Sequence, residues 1–198
     1  MRDMSPLFKE YQKYKWFITS SGKTVVGGKN ALQNDELLKQ LASLPESSIV
    51  MHTSAPGSPF STILSPINSI TQQEMQECAT FTACFSQAWK SGKSKSDVDI
   101  FESTQLSKEK NMKSGMWSVK GRVKTQTVPL KLVLTKQKGI LRAVPEKTLT
   151  SSKEGLMTFV PGTIDKKDLF LHLKQQGTTY SQEEFLAALP AGGSRILP

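Results

Sequence analysis

One stretch of the chain, residues 13–38, constrains the fold more than any other because three local signals agree there. Two short segments of apolar and β-favouring residues, 16–19 and 24–26, flank the polar sequence Ser-Ser-Gly-Lys at 20–23. This arrangement is typical of a β-hairpin whose turn uses the conformational freedom of a glycine. The sequence therefore predicts a hairpin near the beginning of the chain.

A glycine pair and a helix start follow this hairpin. Gly27 and Gly28 end the second strand, and Asn34 stands in the position of an N-cap before Asp35 and Glu36. Acids in a first helical turn are stabilised by the positive end of the helix dipole. A helix beginning at Asn34 is therefore predicted.

The remaining patterns predict one long helix and several short strands. A capping box at residues 71–74, Thr-Gln-Gln-Glu, opens a helix that extends to Trp89 with apolar residues at helical spacing. Short apolar segments predict strands at residues 49–51, 60–64, 98–101, 116–119, 128–134 and 140–144. The predicted fold class is α+β: an antiparallel-rich mixed sheet with the long helix packed on one face, basic side chains on the other, and a small helical C-terminal appendage.

Two segments flank or divide this predicted fold. Residues 5–14 can form a short amphipathic helix, and residues 147–154 are polar and rich in serine and threonine, as a linker often is. We therefore divide the chain into a core domain at 1–148 and a strand–helix–helix extension at 149–198 that packs on the core.

The sequence offers no support for membrane insertion or export. The N-terminus lacks the apolar core of a signal peptide, and no apolar stretch is long enough to span a bilayer. Cys78 and Cys84 are the only cysteines, and their spacing puts them on different faces of the predicted helix, which argues against a disulfide or metal site. A cytoplasmic protein without a membrane partner, metal or other cofactor is expected.

The net charge of +9 is concentrated in the middle of the chain. Residues 90–147 contain 14 lysines and arginines against five acids, and the flanking segments together are neutral. Such a positive field attracts polyanions with an affinity that falls as salt rises. The alternative is a solvated surface that only aids solubility, but clustering in the middle of a folded chain favours polyanion binding.

Several short motifs occur in the same order as in the RNA-binding (R) domain of the NFACT family, the ribosome-associated quality-control proteins, and resemble it. They are residues 27–34, residues 49–58, the alanine-rich segment 79–89, Gln105-Leu106-Ser107-Lys108, residues 115–121, and the terminal segments 159–162 and 189–193. The resemblance spans about residues 13–198. It implies a standalone R domain that binds transfer or ribosomal RNA without catalysis, with the large ribosomal subunit as a further partner.

The chain departs from the family pattern where polar chemistry would be expected. Members commonly have an aspartate where Ser48 stands, an acid near Ser54 and a second histidine near Pro56. His52 and His172 are the only histidines, and neither has a cysteine or a carboxylate pair beside it in sequence. A metal site or a nucleophilic triad has little to be built from, so no catalytic residue is predicted.

The basic segment supplies most of the candidate RNA contacts. The cationic candidates are Lys108, Lys120, Arg122 and Lys124, and the neutral ones beside them are Gln105 and Ser107. Cations neutralise phosphates, and neutral hydrogen-bonding groups position the nucleic-acid backbone.

Four further candidates each have a structural alternative. With the glycine pair before them, Lys29 and Asn30 can form a backbone nest for phosphate, and a plain turn is the alternative. His52 can contact a phosphate, but a packed and hydrogen-bonded histidine is favoured. Trp117 can stack on a base, but strand alternation favours a place in the core.

Two functions of other classes remain open at this stage. A subunit of an RNA-modification enzyme is one, and turnover of an RNA would indicate it. A protein-docking module that uses the tail around residues 185–189 is the other, and binding that depends little on salt would indicate it.

Overall fold

The computed structural model describes residues 9–149 and 157–197. Residues 5–8 of the first predicted helix and residues 150–154 of the predicted linker lie outside these ranges. In the described part of that first helix, Tyr11–Lys13 form a single 3-10 turn.

Helices and strands alternate along the described residues. The helices are α1 (Ala31–Ala42), α2 (Gln72–Cys84), α3 (Gln87–Lys90), α4 (Lys166–Gln175) and α5 (Gln182–Ala188). The strands are β1 (Lys15–Ile18), β2 (Thr24–Gly27), β3 (Ile49–Thr53), β4 (Ser61–Ile63), β5 (Lys95–Glu102), β6 (Leu106–Ser107), β7 (Ser118–Val119), β8 (Lys124–Pro129), β9 (Leu132–Gln137), β10 (Ile140–Pro145), β11 (Thr158–Ile164) and β12 (Ser194–Leu197). Of these helices, none has the length and apolar character needed to cross a bilayer.

The strands form two main sheets and a small ribbon. The first sheet has six strands in the order β1-β2-β4-β3-β5-β8, and the second has four in the order β10-β9-β11-β12. β6 and β7 pair with each other in a separate ribbon. All pairings among the described strands are antiparallel, so the predicted α+β class with antiparallel sheets is confirmed.

The six-stranded sheet is buried on both faces along β1 to β4, whereas the edge strand β8 is mostly exposed. In β3, Ile49 and Met51 enter one apolar cluster and Val50 enters the other, and in β1 Phe17 and Trp16 separate in the same way. Residues of α2 complete the first cluster, and residues of α1 complete the second. The expectation that one face carries exposed basic side chains is therefore wrong, because two helices need two apolar faces.

Helix α1 begins earlier than the sequence predicted. Asn30 is its N-cap, and the Oδ1 atom of Asn30 accepts a hydrogen bond from the amide of Gln33 at 2.9 Å. Asn34, the predicted N-cap, is buried inside the helix, where its Oδ1 accepts from the amide of Phe60 at 3.1 Å. The prediction is wrong because this tertiary hydrogen bond with Phe60 occupies Asn34, and Gly28 leaves room for it, since a Cβ there would collide with Asn34 Oδ1.

Two other predicted elements are each divided in two. The long helix is interrupted after Cys84, because the Ser86 hydroxyl donates to the Ala83 carbonyl at 2.7 Å and accepts from the Ala88 amide at 3.1 Å, capping a new helix. The predicted strand at 128–134 is interrupted after Pro129, and its second half joins the other sheet as β9. The hairpin of β9 and β10 is confirmed.

The predicted C-terminal extension completes the second sheet. β11 pairs with both β9 and β12, so strands from both sides of residue 148 lie in one sheet. The Nε1 atom of Trp89 donates to the carbonyl of Gly193 at 3.1 Å, and the rings of Phe170 and Phe185 lie 5.6 Å apart between α4 and α5. The division of the chain at residue 148 stays a prediction.

Glu74 joins the first hairpin to α2. Its side chain is 1% exposed, its Oε2 accepts from the amide of Thr71 at 2.6 Å to complete the predicted capping box, and it pairs with Lys23 Nζ at 2.8 Å. Burial alone would raise the pKa of Glu74, but hydrogen bonds from Lys23, Ser21 and Thr71 lower this pKa to about 2. The ionised carboxylate therefore stabilises the folded chain.

We expect acid to remove this stabilisation. The folded-state pKa of Glu74 lies below its ordinary value of 4.5, so its contribution is complete above pH 4.5 and is lost as the pH falls towards 2. A shift of this size corresponds to about 3 kcal/mol of unfolding free energy. Glu74→Gln should be less stable at pH 7 and should lose less stability than the wild type between pH 5 and pH 3, as measured by urea denaturation.

Glu183→Gln is the matched control for this experiment. Glu183 is exposed in the first turn of α5, so its variant should keep the acid dependence of the wild type. Equal losses of stability in the Glu74 variant and the wild type would contradict the assignment.

Candidate nucleic-acid interface

A cleft of about 660 Å³ opens beside β3, between the start of α1 and α3. Most of its walls come from four parts of the chain, at residues 28–34, 52–60, 85–90 and 114–119, and single residues at 15, 99, 101 and 191 complete them. Four of the predicted site residues line it, namely Lys29, Asn30, His52 and Trp117. A volume of this size suits a small ligand or a nucleotide.

The backbone amides of the glycine turn before α1 already donate hydrogen bonds within the protein. The amide of Gly28 donates to the carbonyl of Phe60 at 3.3 Å, and the amide of Lys29 donates to Gln33 Oε1 at 3.0 Å. Because both amides already have acceptors, this turn matches the plain-turn alternative better than a phosphate nest. Lys29 contributes to the cleft through its exposed side chain.

One carboxylate, Asp35, holds the wall at 114–119 against α1. Its Oδ1 accepts from Lys108 Nζ at 2.6 Å, from Trp117 Nε1 at 2.8 Å and from the amide of Gly115 at 3.1 Å, and its Oδ2 accepts from Ser114 Oγ at 3.0 Å. Burial would raise the pKa of Asp35, but these four donors lower it to about 2. From the sequence alone, Asp35 is expected only to interact with the helix dipole.

The turn at Gly115 depends on a close approach to α1. Gly115 has φ +79°, and a Cβ there would lie 2.8 Å from the Cβ of Ala31. A side chain at this position would strain the backbone and push the segment away from α1. The segment and the start of α1 therefore form one continuous wall of the cleft.

Trp117 is partly buried and packs against the apolar cluster of α1. Its indole N–H is bonded to Asp35, and Lys108 Nζ lies 5.4 Å from the ring centroid. The neighbouring Met116 is 56% exposed, and Val119 packs on the same cluster as Trp117, so the predicted alternation of faces is observed. Because Trp117 also lines the cleft, part of its ring remains available to a base.

His52 is packed and hydrogen-bonded, as was favoured from the sequence. Its ring lies 4.4 Å from that of Phe60, and its Nδ1 lies 2.7 Å from the carbonyl oxygen of Thr53. Since a carbonyl oxygen only accepts, Nδ1 carries the proton and Nε2 is the unprotonated nitrogen. Burial lowers the pKa of His52, with smaller opposing effects from Thr53 and Asp99, so the ring is neutral at pH 7.

A carboxylate stands beside His52 that the sequence analysis did not find. Asp99 on β5 is the register partner of His52 on β3, although 47 positions separate them in sequence. Its Oδ1 accepts from Ser54 Oγ at 2.7 Å and from Thr125 Oγ1 at 2.8 Å. Asp99 is therefore oriented by hydroxyl groups, and it does not orient the imidazole through a hydrogen bond.

Lysines outnumber acids along the cleft. Lys15, Lys29 and Lys90 line it, and Asp99 is the one acid among its described lining residues. Burial lowers the pKa of Lys15 to about 8, assisted by neighbouring cations. Lys15 and Lys90 were not among the predicted contacts; the position of Lys15 beside two aromatic residues, Tyr14 and Trp16, was the signal available in the sequence.

Six predicted residues lie outside this cleft, and they divide into two groups. Gln105 and Lys108 are bonded within the protein: the Gln105 amide donates to the carbonyls of Lys120 and Arg122, both at 2.9 Å, and Lys108 is paired with Asp35. Ser107 Oγ is buried and has no hydrogen-bond partner among the described residues. The side chains of Lys120, Arg122 and Lys124 are exposed. Contacts of all six with RNA stay predictions.

The positions where the chain departs from the family pattern also differ in location. Ser54 and Pro56 line the cleft, whereas Ser48 is fully buried beside Ser103 and does not line it. Among the described residues, no group of three histidine, cysteine or acidic side chains is arranged to hold a metal ion. Cys78 and Cys84 are buried, and burial raises the pKa of the Cys78 thiol to about 12.

A basic cleft with aromatic walls on an α+β scaffold is typical of a nucleic-acid-binding domain. Comparison with known proteins gives the family: the profile described as "NFACT protein RNA binding domain" matches residues 13–121. This match covers more than half of the chain, so the chain belongs to the NFACT RNA-binding domain family, as its motifs indicated.

One relative and one solved structure extend this comparison. The archaeal Rqc2 homolog aRqcH of Methanocaldococcus jannaschii is 28% identical over 200 residues, which cover 96% of this chain and 29% of that protein. The C-terminal part of the fibronectin/fibrinogen-binding protein from Streptococcus suis has a TM-score of 0.52 and 24% identity, over 58% of this chain and 44% of that chain. The chain thus spans less than a third of the relative, and the structural similarity concerns the fold alone.

Replacement of Trp117 tests its place in the wall. Trp117→Ala should lower the unfolding free energy by about 3 kcal/mol. This value is at the lower end of the range for replacing a tryptophan by alanine, because the ring is only partly buried. Trp117→Phe keeps much of the packing but removes the donor to Asp35, so it should lose about 1.5 kcal/mol. Urea denaturation measures both values.

Met116→Ala serves as the control, because Met116 is exposed on the opposite face. It should change stability by less than about 0.5 kcal/mol. A Trp117→Ala variant as stable as the wild type would show that the strand-face assignment is wrong.

Proposed function

We propose that this chain is a non-catalytic RNA-binding module that acts in ribosome-associated quality control, with transfer or ribosomal RNA as its ligand. The family supports RNA as the ligand class, and the similarity to the archaeal Rqc2 homolog supports the link to ribosome quality control. The large ribosomal subunit is the further partner that this role implies, and the cytoplasm is the compartment.

The aromatic and basic cleft is the observation that carries this proposal. Trp117 lines it with a partly exposed aromatic side chain, while Lys29 and Lys90 add charge. Stacking on aromatic rings holds bases with little dependence on sequence, and lysines neutralise the backbone phosphates. Unpaired bases suit such a cleft better than a duplex, because the bases of a duplex are already stacked on each other.

An exposed basic segment continues from the wall of the cleft. Val119 lines the cleft, and Lys120, Arg122 and Lys124 follow it towards β8, the edge strand of the six-stranded sheet. Charges on an edge strand also prevent pairing with other chains, which is their alternative explanation. A bound RNA that leaves the cleft on this side would meet all three cations.

We expect RNA binding to weaken steeply with salt and to depend on this segment. The triple variant Lys120→Glu, Arg122→Glu and Lys124→Glu should bind RNA at least tenfold more weakly, since it removes three cations and adds three repulsive charges. The slope of log affinity against log salt should become smaller by about 2 units if each cation neutralises one phosphate of a single strand. Fluorescence anisotropy with labelled RNA at several salt concentrations measures both effects.

The matched control changes the net charge equally at other exposed lysines. Lys39, Lys167 and Lys174 lie on α1 and α4, and their reversal to glutamate should weaken binding much less. Lys166 is unsuitable for this control because its Nζ donates to the carbonyl of Leu186 at 2.9 Å. Equal losses from the two triple variants would show that only net charge matters, and a flat salt dependence would contradict the electrostatic model.

A subunit of an RNA-modification enzyme is the second candidate, and the pairing of His52 with Asp99 in the cleft favours it. A neutral imidazole with a free Nε2 can accept a proton. However, the hydrogen bonds of Asp99 go to Ser54 and Thr125, so the carboxylate does not increase the basicity of the ring as it does in a catalytic triad. The binding module therefore remains the preferred function.

His52→Gln separates the two candidates. Glutamine keeps a polar side chain of similar reach, so RNA affinity should stay within about threefold of the wild type, a difference of about 0.7 kcal/mol. Neither protein should convert a transfer RNA or ribosomal RNA fragment, as judged by mass spectrometry of the recovered RNA. Conversion by the wild type that disappears in His52→Gln would establish the enzyme.

A further inference from the structure

A second, smaller cavity of about 120 Å³ adjoins the cleft and contains an unusual group of charges. Three cations line it: Lys15 at the start of β1, Lys29 before α1, and Arg142 on β10. Its other lining residues are aromatic or alanine, and no acid is among them. A cavity of this size holds several water molecules, and therefore also one tetrahedral oxyanion.

We propose that this cavity binds one phosphate group through Lys15, Lys29 and Arg142, and that the phosphate belongs to the RNA strand in the adjoining cleft. The assignment to RNA rests on the proposed function, whereas the phosphate site itself rests on the cavity.

Two of the three cations lie against aromatic rings, and none has an acidic partner in the described part of the chain. Lys15 Nζ lies 4.6 Å from the ring centroid of Phe85, and the guanidinium carbon of Arg142 lies 4.2 Å from that of Trp16. Within the described residues, none of the three cations belongs to an ion pair. Like charges confined around one cavity repel each other, and an anion at their centre would remove this repulsion.

Two of the lining residues also contain a buried donor that lacks an acceptor. The Nε atom of Arg142 and the Nε1 atom of Trp16 have no hydrogen-bond partner within the part of the chain that the structure describes. Buried donors without acceptors are rare and costly in folded proteins. Arginine has the planar fork that binds two oxygens of one phosphate, which makes phosphate a better occupant than a spherical halide.

The position of the cavity connects it with the RNA-binding cleft. Lys15, Lys29 and Phe85 line both spaces. A nucleotide whose base lies in the cleft would therefore place its phosphate in the smaller cavity, next to these two lysines. The pKa of Lys15 is lowered first by burial and then by the positive charges of Lys29, Lys166 and Arg142. No acidic side chain among the described residues lines the cavity to balance these charges.

The first test uses inorganic phosphate with the full chain. Phosphate should raise the melting temperature of the wild type above that in sodium chloride of equal ionic strength. This specific increase should disappear in Arg142→Gln and in Lys29→Gln. Because Lys29 is exposed and its side chain supports no other element, Lys29→Gln keeps the test valid even if the Arg142 variant folds poorly. Lys136→Gln, on the exposed side of β9, should retain the increase.

The second test uses short single-stranded RNA with and without a 5′-phosphate. Loss of Arg142 or Lys29 should weaken binding about tenfold, which corresponds to 1.4 kcal/mol. A loss seen only for the phosphorylated RNA would assign the cavity to a terminal phosphate, and an equal loss for both would assign it to a backbone phosphate.

The outcomes separate this inference from the proposed function. A wild type that binds RNA but shows no specific response to phosphate, with Arg142→Gln and Lys29→Gln binding RNA normally, would overturn the phosphate site and leave the proposed function intact. A specific phosphate response without any RNA binding would support the site and overturn the proposed function. A phosphate response with unchanged RNA binding in the variants would overturn the assignment of the phosphate to RNA.

Discussion

The burial of the six-stranded sheet on both faces determines where the cleft lies. Because strand side chains alternate, β3 and β5 deliver apolar residues to α1 on one face and to α2 on the other. The start of α1 and the short α3 that follows α2 then meet beside the end of β3, and both line the cleft. Cleft geometry is therefore a consequence of core packing, so substitutions deep in either cluster should alter it.

Carboxylates and cations have different places in this structure. Asp35 and Glu74 are turned inwards, where each holds a segment distant in sequence through several donors, and each has its pKa lowered to about 2. Most of the surplus lysines remain outside. The pairing of Lys108 with Asp35 shows that one lysine of the basic segment also has a structural role.

Local signals in the sequence predicted the elements well, and tertiary contacts account for the differences. The first hairpin, the capping box at Thr71 and the hairpin of β9 and β10 each depend on neighbours within a few residues. Asn30 and Asn34 are both plausible caps locally, and the tertiary hydrogen bond of Asn34 with Phe60 decides between them. The pairings of His52 with Asp99 and of Lys108 with Asp35 join distant segments, so no local pattern contains them. The order of the family motifs, by contrast, is a property of the whole chain, and it indicated the correct family.

Among the described residues, Lys15 and Arg142 beside the smaller cavity lack the acidic partner that two other partly buried lysines have. Lys23 pairs with Glu74 and Lys108 with Asp35, whereas Lys15 and Arg142 lie against the faces of Phe85 and Trp16. Departures from local consistency that carry no structural benefit are expected at functional sites. Cations held by rings inside a cavity are screened by salt much less than those of an exposed segment. A bound strand would then have one phosphate contact that persists at high salt, together with outer contacts that do not.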